Sequence, residues 1–396
     1  MPLATKAQNS MTVFLTLLDD SFEATAVIRC PAYADTSFSF SLNADLAIRS
    51  VTDGEGPLSC VRTGTEKLEF TSPAQRVTVT GGRPLRELRI AYAGRVQFSF
   101  PERKNFHNII TPDMAMLSGY SAWFPQRLPV AVEEDRVLMK NGREWFVVQG
   151  TYDQAGDQWV YGGDTAFDPY NIAAYRREKL QCYSNPWLNI YFVDDGIREQ
   201  ARRAEQAYRE IIEYYNGGLF RKEAIPVLNI ACASPAITAG GGYYRPNFMW
   251  CPSLGDDPLE TAWLFAHETA HRWCSGADTS SWEDWLNETA AEWASLLFAL
   301  YKGDTALFDY ILRPKLENAP SLPAIRTADG SRPQGVHDKG TALWYGVYQQ
   351  YGYETMCRLV RIFTGLLCKN TENFLAELER QGLRDAASLI RAGLDA

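Results

Sequence analysis

Histidine is scarce in this 396-residue chain: there are four, at positions 107, 267, 271 and 337. The eight cysteines (Cys30, Cys60, Cys182, Cys232, Cys251, Cys274, Cys357 and Cys368) are scattered and form no Cys-x-x-Cys pair. Disulfide scaffolds are short and cysteine-dense, so reduced thiols in a cytoplasm are expected. No apolar run reaches the roughly 18 residues of a membrane span. The N-terminus lacks a basic start followed by a long apolar stretch, so no signal peptide is expected. A basic surplus is missing too. Lys and Arg total 39 against 48 Asp and Glu, the net charge is −9, and no Lys/Arg-rich run occurs. This excludes nucleic acid and anionic membranes as expected partners. There is no internal repeat and no low-complexity tract.

What is present is a soluble globular composition, 46% apolar and 22% charged, in a chain long enough for two domains with a core each. Up to about residue 185 the pattern is that of strands. Phe38, Phe40 and Leu42 alternate with small polar residues, and Leu88, Ile90 and Tyr92 with charged ones. That is the period-two signature of half-buried strands. Asp53-Gly54, Gly81-Gly82 and Asn141-Gly142 mark turns, the last predicting a hairpin between VLMK and REWFVV. The texture changes near residue 186. NPWLNIYFVDD and IPVLNIACAS predict buried strands, and IREQARRAEQAYREIIEYYN predicts a helix stopped by Gly217-Gly218 in the left-handed conformation. Beyond residue 258 the chain is mainly helical. The expected fold class is α+β, with an antiparallel β domain over residues 1–185 and a mainly helical domain over 186–396.

The chemistry is concentrated in DDPLETAWLFAHETAHRWCSG. Asp257 is a helix cap, Pro258 suits the first helical position, Glu260 stands where a capping box places an acid, and Gly276 is a stop. Inside lies His267-Glu268-Thr269-Ala270-His271. Histidines at i and i+4 share one helical face and can bind one Zn²⁺ from the same side, with the intervening Glu268 placed to accept a proton from metal-bound water. A second helix, SSWEDWLNETAAEWASLLFALYKG, carries Glu288 and Glu292 on one face. Glu288 is the candidate third ligand, and Glu292, one turn on, the candidate acid for a ligand histidine's second nitrogen. A solvated acidic face is the alternative for both. His107 has no motif around it, and Cys274 reads as core.

These residues resemble the aminopeptidase N family, the M1 group of zinc metallopeptidases within the gluzincins. Its HExxH and W-L-N-E sequences match His267–His271 and Trp285-Leu286-Asn287-Glu288. The resemblance implies one Zn²⁺ held by His267, His271 and Glu288, with Glu268 as general base. It implies a saddle-like N-terminal β domain and a thermolysin-like catalytic domain, and leaves no room for the large C-terminal helical domain of many members. Two departures stand out. The family's G-x-M-E-N strand, whose Glu binds the substrate's free amino group, corresponds here to Gly240-Gly241-Gly242-Tyr243-Tyr244, with Tyr243 in the acid's place. The family's oxyanion-stabilising Tyr before an acid-Lys-Gly sequence corresponds to His337, ahead of Asp338-Lys339-Gly340. An imidazole N–H can fill that role.

The sequence therefore leads us to expect a zinc peptidase, with an extended peptide lying along Gly240–Tyr244. Tyr345 and Tyr348 are competing hydrogen-bond donors whose expected role is packing. Exopeptidase and oligopeptidase action both stay open. So do a non-catalytic zinc-containing peptide binder and a hydrolase of esters or epoxides on the same scaffold.

Overall fold

The computed structural model describes residues 8–67, 73–96, 108–162, 170–233, 242–251 and 254–396. Their architecture is α+β, with sheets first and helices after. In the first half, a seven-stranded sheet has the spatial order Thr151–Asp153, Gln158–Gly162, Glu134–Lys140, Ser10–Leu17, Phe22–Arg29, Glu87–Gly94, Ala47–Thr52. Its one parallel pairing joins Ser10–Leu17 to Glu134–Lys140. A three-stranded antiparallel sheet, Ser37–Asn43, Pro73–Thr80 and Ser59–Lys67, packs nearby. The two alternating triplets, Phe38/Phe40/Leu42 and Leu88/Ile90/Tyr92, meet in one core with Trp123 and Trp145. Period-two patterning thus points each strand's apolar face at the other sheet.

The hairpin expected at Asn141-Gly142 does not form. Glu134–Lys140 pairs with Gln158–Gly162, whereas Trp145–Val147 pairs with Ile172–Arg176 in another sheet. Asn141 does take the left-handed conformation (φ 60°). The Gly142 N–H, however, donates to the Asp157 carbonyl at 3.0 Å, and the Gly142 carbonyl accepts the Trp159 indole N–H at 3.1 Å. The turn is tied to a more distant strand.

A four-stranded sheet, ordered Trp145–Val147, Ile172–Arg176, Met114–Leu117, Ile109–Ile110, links the two halves. Its Met114, Met116 and Tyr175 pack against Ala231, Tyr243, Phe248 and Trp250 of the second half. The Tyr175 hydroxyl donates to the Cys232 carbonyl at 2.9 Å, and the Gln149 amide to the Asn247 carbonyl at 2.9 Å.

The second half opens on a five-stranded sheet: Gln181–Ser184, Leu188–Phe192, Leu228–Cys232, Phe248–Cys251 and Tyr243–Arg245 in spatial order. The inner three strands are parallel and the two edges antiparallel. The sheet thus begins slightly ahead of residue 186. Seven helices follow or intervene among the described residues: α1 (Arg198–Tyr214), α2 (Pro258–Ala270), α3 (Trp285–Lys302), α4 (Thr305–Asn318), α5 (Val336–Gly365, kinked at Gly352), α6 (Thr371–Arg380) and α7 (Arg384–Gly393). Gly217 and Gly218 do not stop α1 in the left-handed conformation. They sit inside a wide π-type turn, Tyr215–Leu219, after which Phe220 becomes extended. Among the described residues no helix is long and apolar enough to cross a membrane.

The α3 helix is buried around its circumference from Trp285 to Ala299, apart from Glu288. A helix apolar on all sides belongs at the centre of its domain, and α3 packs between α2, α4 and α5. Gly303 (φ 67°) ends it.

Candidate metal and catalytic site

Helix α2 starts as its sequence dictates. The Asp257 carboxylate accepts the Leu259 N–H at 2.8 Å, with Pro258 in the first turn. The helix runs to Ala270 and His271 keeps helical angles, so His267 and His271 stack on one face. Each residue of Trp285-Leu286-Asn287-Glu288 has its own task at the start of α3. The Trp285 indole donates to Thr371 at 2.8 Å. Leu286 is buried in the core. Asn287 accepts the Ala277 N–H at 3.0 Å and donates to the Ala277 carbonyl at 3.1 Å, tying down the loop between α2 and α3. Glu288 then faces the two histidines.

His267 Nε2 and His271 Nε2 lie 3.2 Å apart. Glu288 Oε2 lies 3.4 Å from the first and 3.5 Å from the second. Zinc ligand distances near 2.0–2.2 Å in a tetrahedral arrangement put ligand atoms roughly 3.3–3.6 Å apart. The triangle is the base of such a tetrahedron. The tautomers fit as well. His271 Nδ1 lies 3.1 Å from the Cys274 carbonyl, an acceptor only, so that nitrogen carries the proton. His267 Nδ1 lies 2.6 Å from Glu292 Oε2 and is likewise the protonated nitrogen. Both Nε2 lone pairs therefore converge with a buried Glu288 oxygen, and a divalent cation suits that donor set.

The electrostatics favour positive charge there. Burial depresses the His267 pKa, but Glu292, Glu288 and Glu268 outweigh it and raise it to about 10. His271 is also raised, burial being outweighed chiefly by Glu288. Burial pushes Glu288 up, yet His337, His271 and His267 hold it well below the usual carboxylate range. Glu292 is completely buried. Burial works against its charge, while Lys315, His267 and the Trp263 indole bring its pKa down to about 2. Glu268 differs: burial raises its pKa, only partly opposed by His267, His271 and His337. A buried carboxylate with a raised pKa suits a proton acceptor.

His337 opens α5. Its Nε2 lies 2.8 Å from Glu288 Oε2 and its ring centroid 5.9 Å from that of His267. A nitrogen facing a carboxylate carries a proton, so His337 presents an N–H to the site. The residues after it dock α5. Asp338 meets Lys315 Nζ at 3.5 Å and accepts from Asn318 at 3.0 Å. Lys339 donates to the carbonyls of Ala319 and Leu322 at 3.3 and 3.4 Å. Gly340 lets α5 approach α3, since a Cβ there would stand 1.9 Å from the Thr289 hydroxyl.

Of the glycine-rich strand, Gly240 and Gly241 lie outside the described residues, as does His107. Gly242 backs onto α2: an added Cβ would come within 2.6 Å of the Trp250 carbonyl and 3.7 Å of Glu268 Cγ. Tyr243 does not join the cluster. Its ring packs on Tyr120 at 5.8 Å and its hydroxyl meets Met116 at 4.0 Å, toward the N-terminal half. Tyr244, on the opposite face of the strand, lies beside Arg272 and Tyr208. Tyr244 thus faces the helix side of this strand and Tyr243 the N-terminal half. Tyr345 and Tyr348 stack on each other, and Tyr348 packs at a tilt against Trp293; both are packing residues. The Cys274 thiol is buried in the core, and its carbonyl is what serves His271.

Sequence reasoning missed three residues. The Trp263 indole donates to Glu292 Oε1 at 2.8 Å. Lys315 Nζ lies 3.2 Å from that same oxygen. Arg332 lies 2.6 Å from Asp284 and 4.0 Å from Glu288 Oε1. Trp263, one helical turn before His267, was the one with a local signal.

The sequence matches no protein-family model and no curated protein. Solved structures do match in fold. The M1 zinc metallopeptidase from Deinococcus radiodurans superposes with a TM-score of 0.64 at 15% identity, over 98% of this chain and 94% of that one. A mutant of it bound to a Tyr-Ser-Ala substrate matches equally, with a TM-score of 0.64 at 15% identity and the same coverage. Native yeast LTA4 hydrolase gives 0.64 at 13% identity, over 97% of this chain and 66% of that one. The chain has the fold of these M1 zinc metallopeptidases.

Proposed function

We propose that this protein is a zinc-dependent metallopeptidase with a catalytic domain starting near residue 186 and an N-terminal β domain before it. The observation that carries the reading is the triangle of His267 Nε2, His271 Nε2 and Glu288 Oε2, with sides of 3.2, 3.4 and 3.5 Å. Glu268, an acid outside that triangle, is held beside it. A purely structural zinc site has no use for such an acid. The substrate class is supported by the fold neighbour bound to a Tyr-Ser-Ala substrate.

In this reading His267, His271 and Glu288 hold the ion, with Glu292 and the Cys274 carbonyl orienting the two imidazoles. When bound, zinc supplies Lewis acidity that makes water nucleophilic near neutral pH. Glu268 takes the proton of the attacking water and passes it to the departing amine. The His337 N–H donates to the oxygen that gains negative charge. The peptide runs in extended form along the sheet-edge strand Tyr243–Arg245.

The test is a mixed peptide library incubated with zinc-loaded and chelator-treated protein, the products read by mass spectrometry. Cleavage by the zinc-loaded form alone supports the reading. Loss of single N-terminal residues identifies an aminopeptidase, and internal cuts an endo- or oligopeptidase. No cleavage with one zinc bound contradicts the peptidase reading in favour of a zinc-containing peptide binder.

A further inference from the structure

Helix α4 contributes no ligand to the site, yet one of its side chains touches both sides of it. Lys315 is a buried lysine. Its ammonium lies 3.2 Å from Glu292 Oε1 and 3.5 Å from Asp338 Oδ1, over the Trp263 ring at 5.5 Å. Glu292 turns its other oxygen to His267 Nδ1 at 2.6 Å. Asp338 adjoins His337, and its other oxygen accepts from Asn318 at 3.0 Å. Lys315 and Asn318 are one helical turn apart, so α4 grips the two oxygens of Asp338 from one face.

We propose that Lys315 is a positioning residue: its ammonium joins the carboxylate facing His267 to the carboxylate beside His337, and so fixes the spacing of the metal-ligand imidazole and the oxyanion-donor imidazole. This rests on the peptidase reading for the role of His337, but not for the leg through Glu292 to His267. The physical reason is charge count. Glu292 and Asp338 are two acids near one buried point, and a single ammonium with three donors satisfies both. An apolar side chain of similar length would leave them repelling each other, with Glu292 free to turn from His267.

The test uses the full chain with Lys315→Met, Lys315→Arg, Glu292→Gln and Asp338→Asn. Zinc affinity is measured by competition with a chromophoric chelator, alongside kcat, KM and thermal unfolding. Lys315→Met should weaken zinc binding about tenfold or more and lower kcat with little change in KM. Lys315→Arg, which keeps the charge, should recover much of both. In the Glu292→Gln background Lys315→Met should add little to the loss of zinc affinity, because both act through one carboxylate. Asp338→Asn should keep zinc affinity and lower kcat. A folded Lys315→Met protein that binds zinc as tightly as the parent overturns the proposal, as do additive effects with Glu292→Gln. If Lys315→Met does not fold, Asp338→Asn decides, and parental kcat there overturns the proposal. If the parent binds zinc but cleaves no peptide, the peptidase reading falls, and the chelator competition still decides the leg to His267.

Discussion

His267 Nδ1 lies 2.6 Å from Oε2 of Glu292, a residue with no exposed surface. The pair fixes the imidazole's tautomer and leaves Nε2 to point at His271 and Glu288. Glu292→Gln removes the negative charge and leaves Lys315 beside a neutral amide. Zinc affinity should fall about tenfold to a hundredfold, read by chelator competition. Unchanged affinity would mean that the tautomer is set elsewhere.

Zinc affinity should rise with pH. The sign follows from His267, whose pKa is raised to about 10. A metal must displace that proton, and the displacement becomes easier as pH climbs toward the pKa. Between about pH 6 and pH 9 the apparent association constant should grow roughly tenfold per unit for each proton released. Glu292, with a pKa of about 2, stays ionised throughout and does not contribute. Calorimetry in buffers of different ionisation enthalpy counts the protons. A flat profile would contradict the assignment of His267 as a ligand.

His337→Phe should bind zinc normally and lose kcat by about a hundredfold to a thousandfold, as for removal of one oxyanion donor. His337→Tyr should retain part of the activity, since a phenol also donates. Steady-state kinetics on a cleaved library peptide makes the comparison. Equal kcat for His337→Phe and the parent would remove His337 from the mechanism.

Gly340→Ala should destabilise the protein by about 1–3 kcal/mol or more, because its Cβ would stand 1.9 Å from the Thr289 hydroxyl. Denaturant unfolding of the zinc-loaded form measures this. The double variant Gly340→Ala/Thr289→Ala should recover part of the loss. A neutral single variant would mean that α3 and α5 can separate freely.

The parts legible in the sequence are those set by local geometry. His267 and His271 are one helical turn apart, so their spacing alone places them together. Phe38/Phe40/Leu42 and Leu88/Ile90/Tyr92 announce strands because pleating has period two. Pairing across long separations is not local, and there the reading failed. The turn at Asn141 has hairpin chemistry, but Gly142 is claimed by Asp157 and Trp159. Gly217-Gly218 offers left-handed freedom that the wide turn after α1 does not use. Strand sidedness flips with each residue, so Tyr243 and Tyr244 face opposite ways, and the sequence does not say which of them faces the helices. Nothing near Lys315 in the chain marks it. Its role exists only once α4 crosses α2, α3 and the start of α5.

The central claim is that Glu268 moves the proton at a site whose metal it does not ligate. Glu268→Gln tests it most directly, with zinc content and kcat measured on the same preparation. The account predicts one zinc bound with parental affinity and a kcat lower by about a hundredfold to ten-thousandfold. Full peptidase activity with zinc bound normally would contradict it.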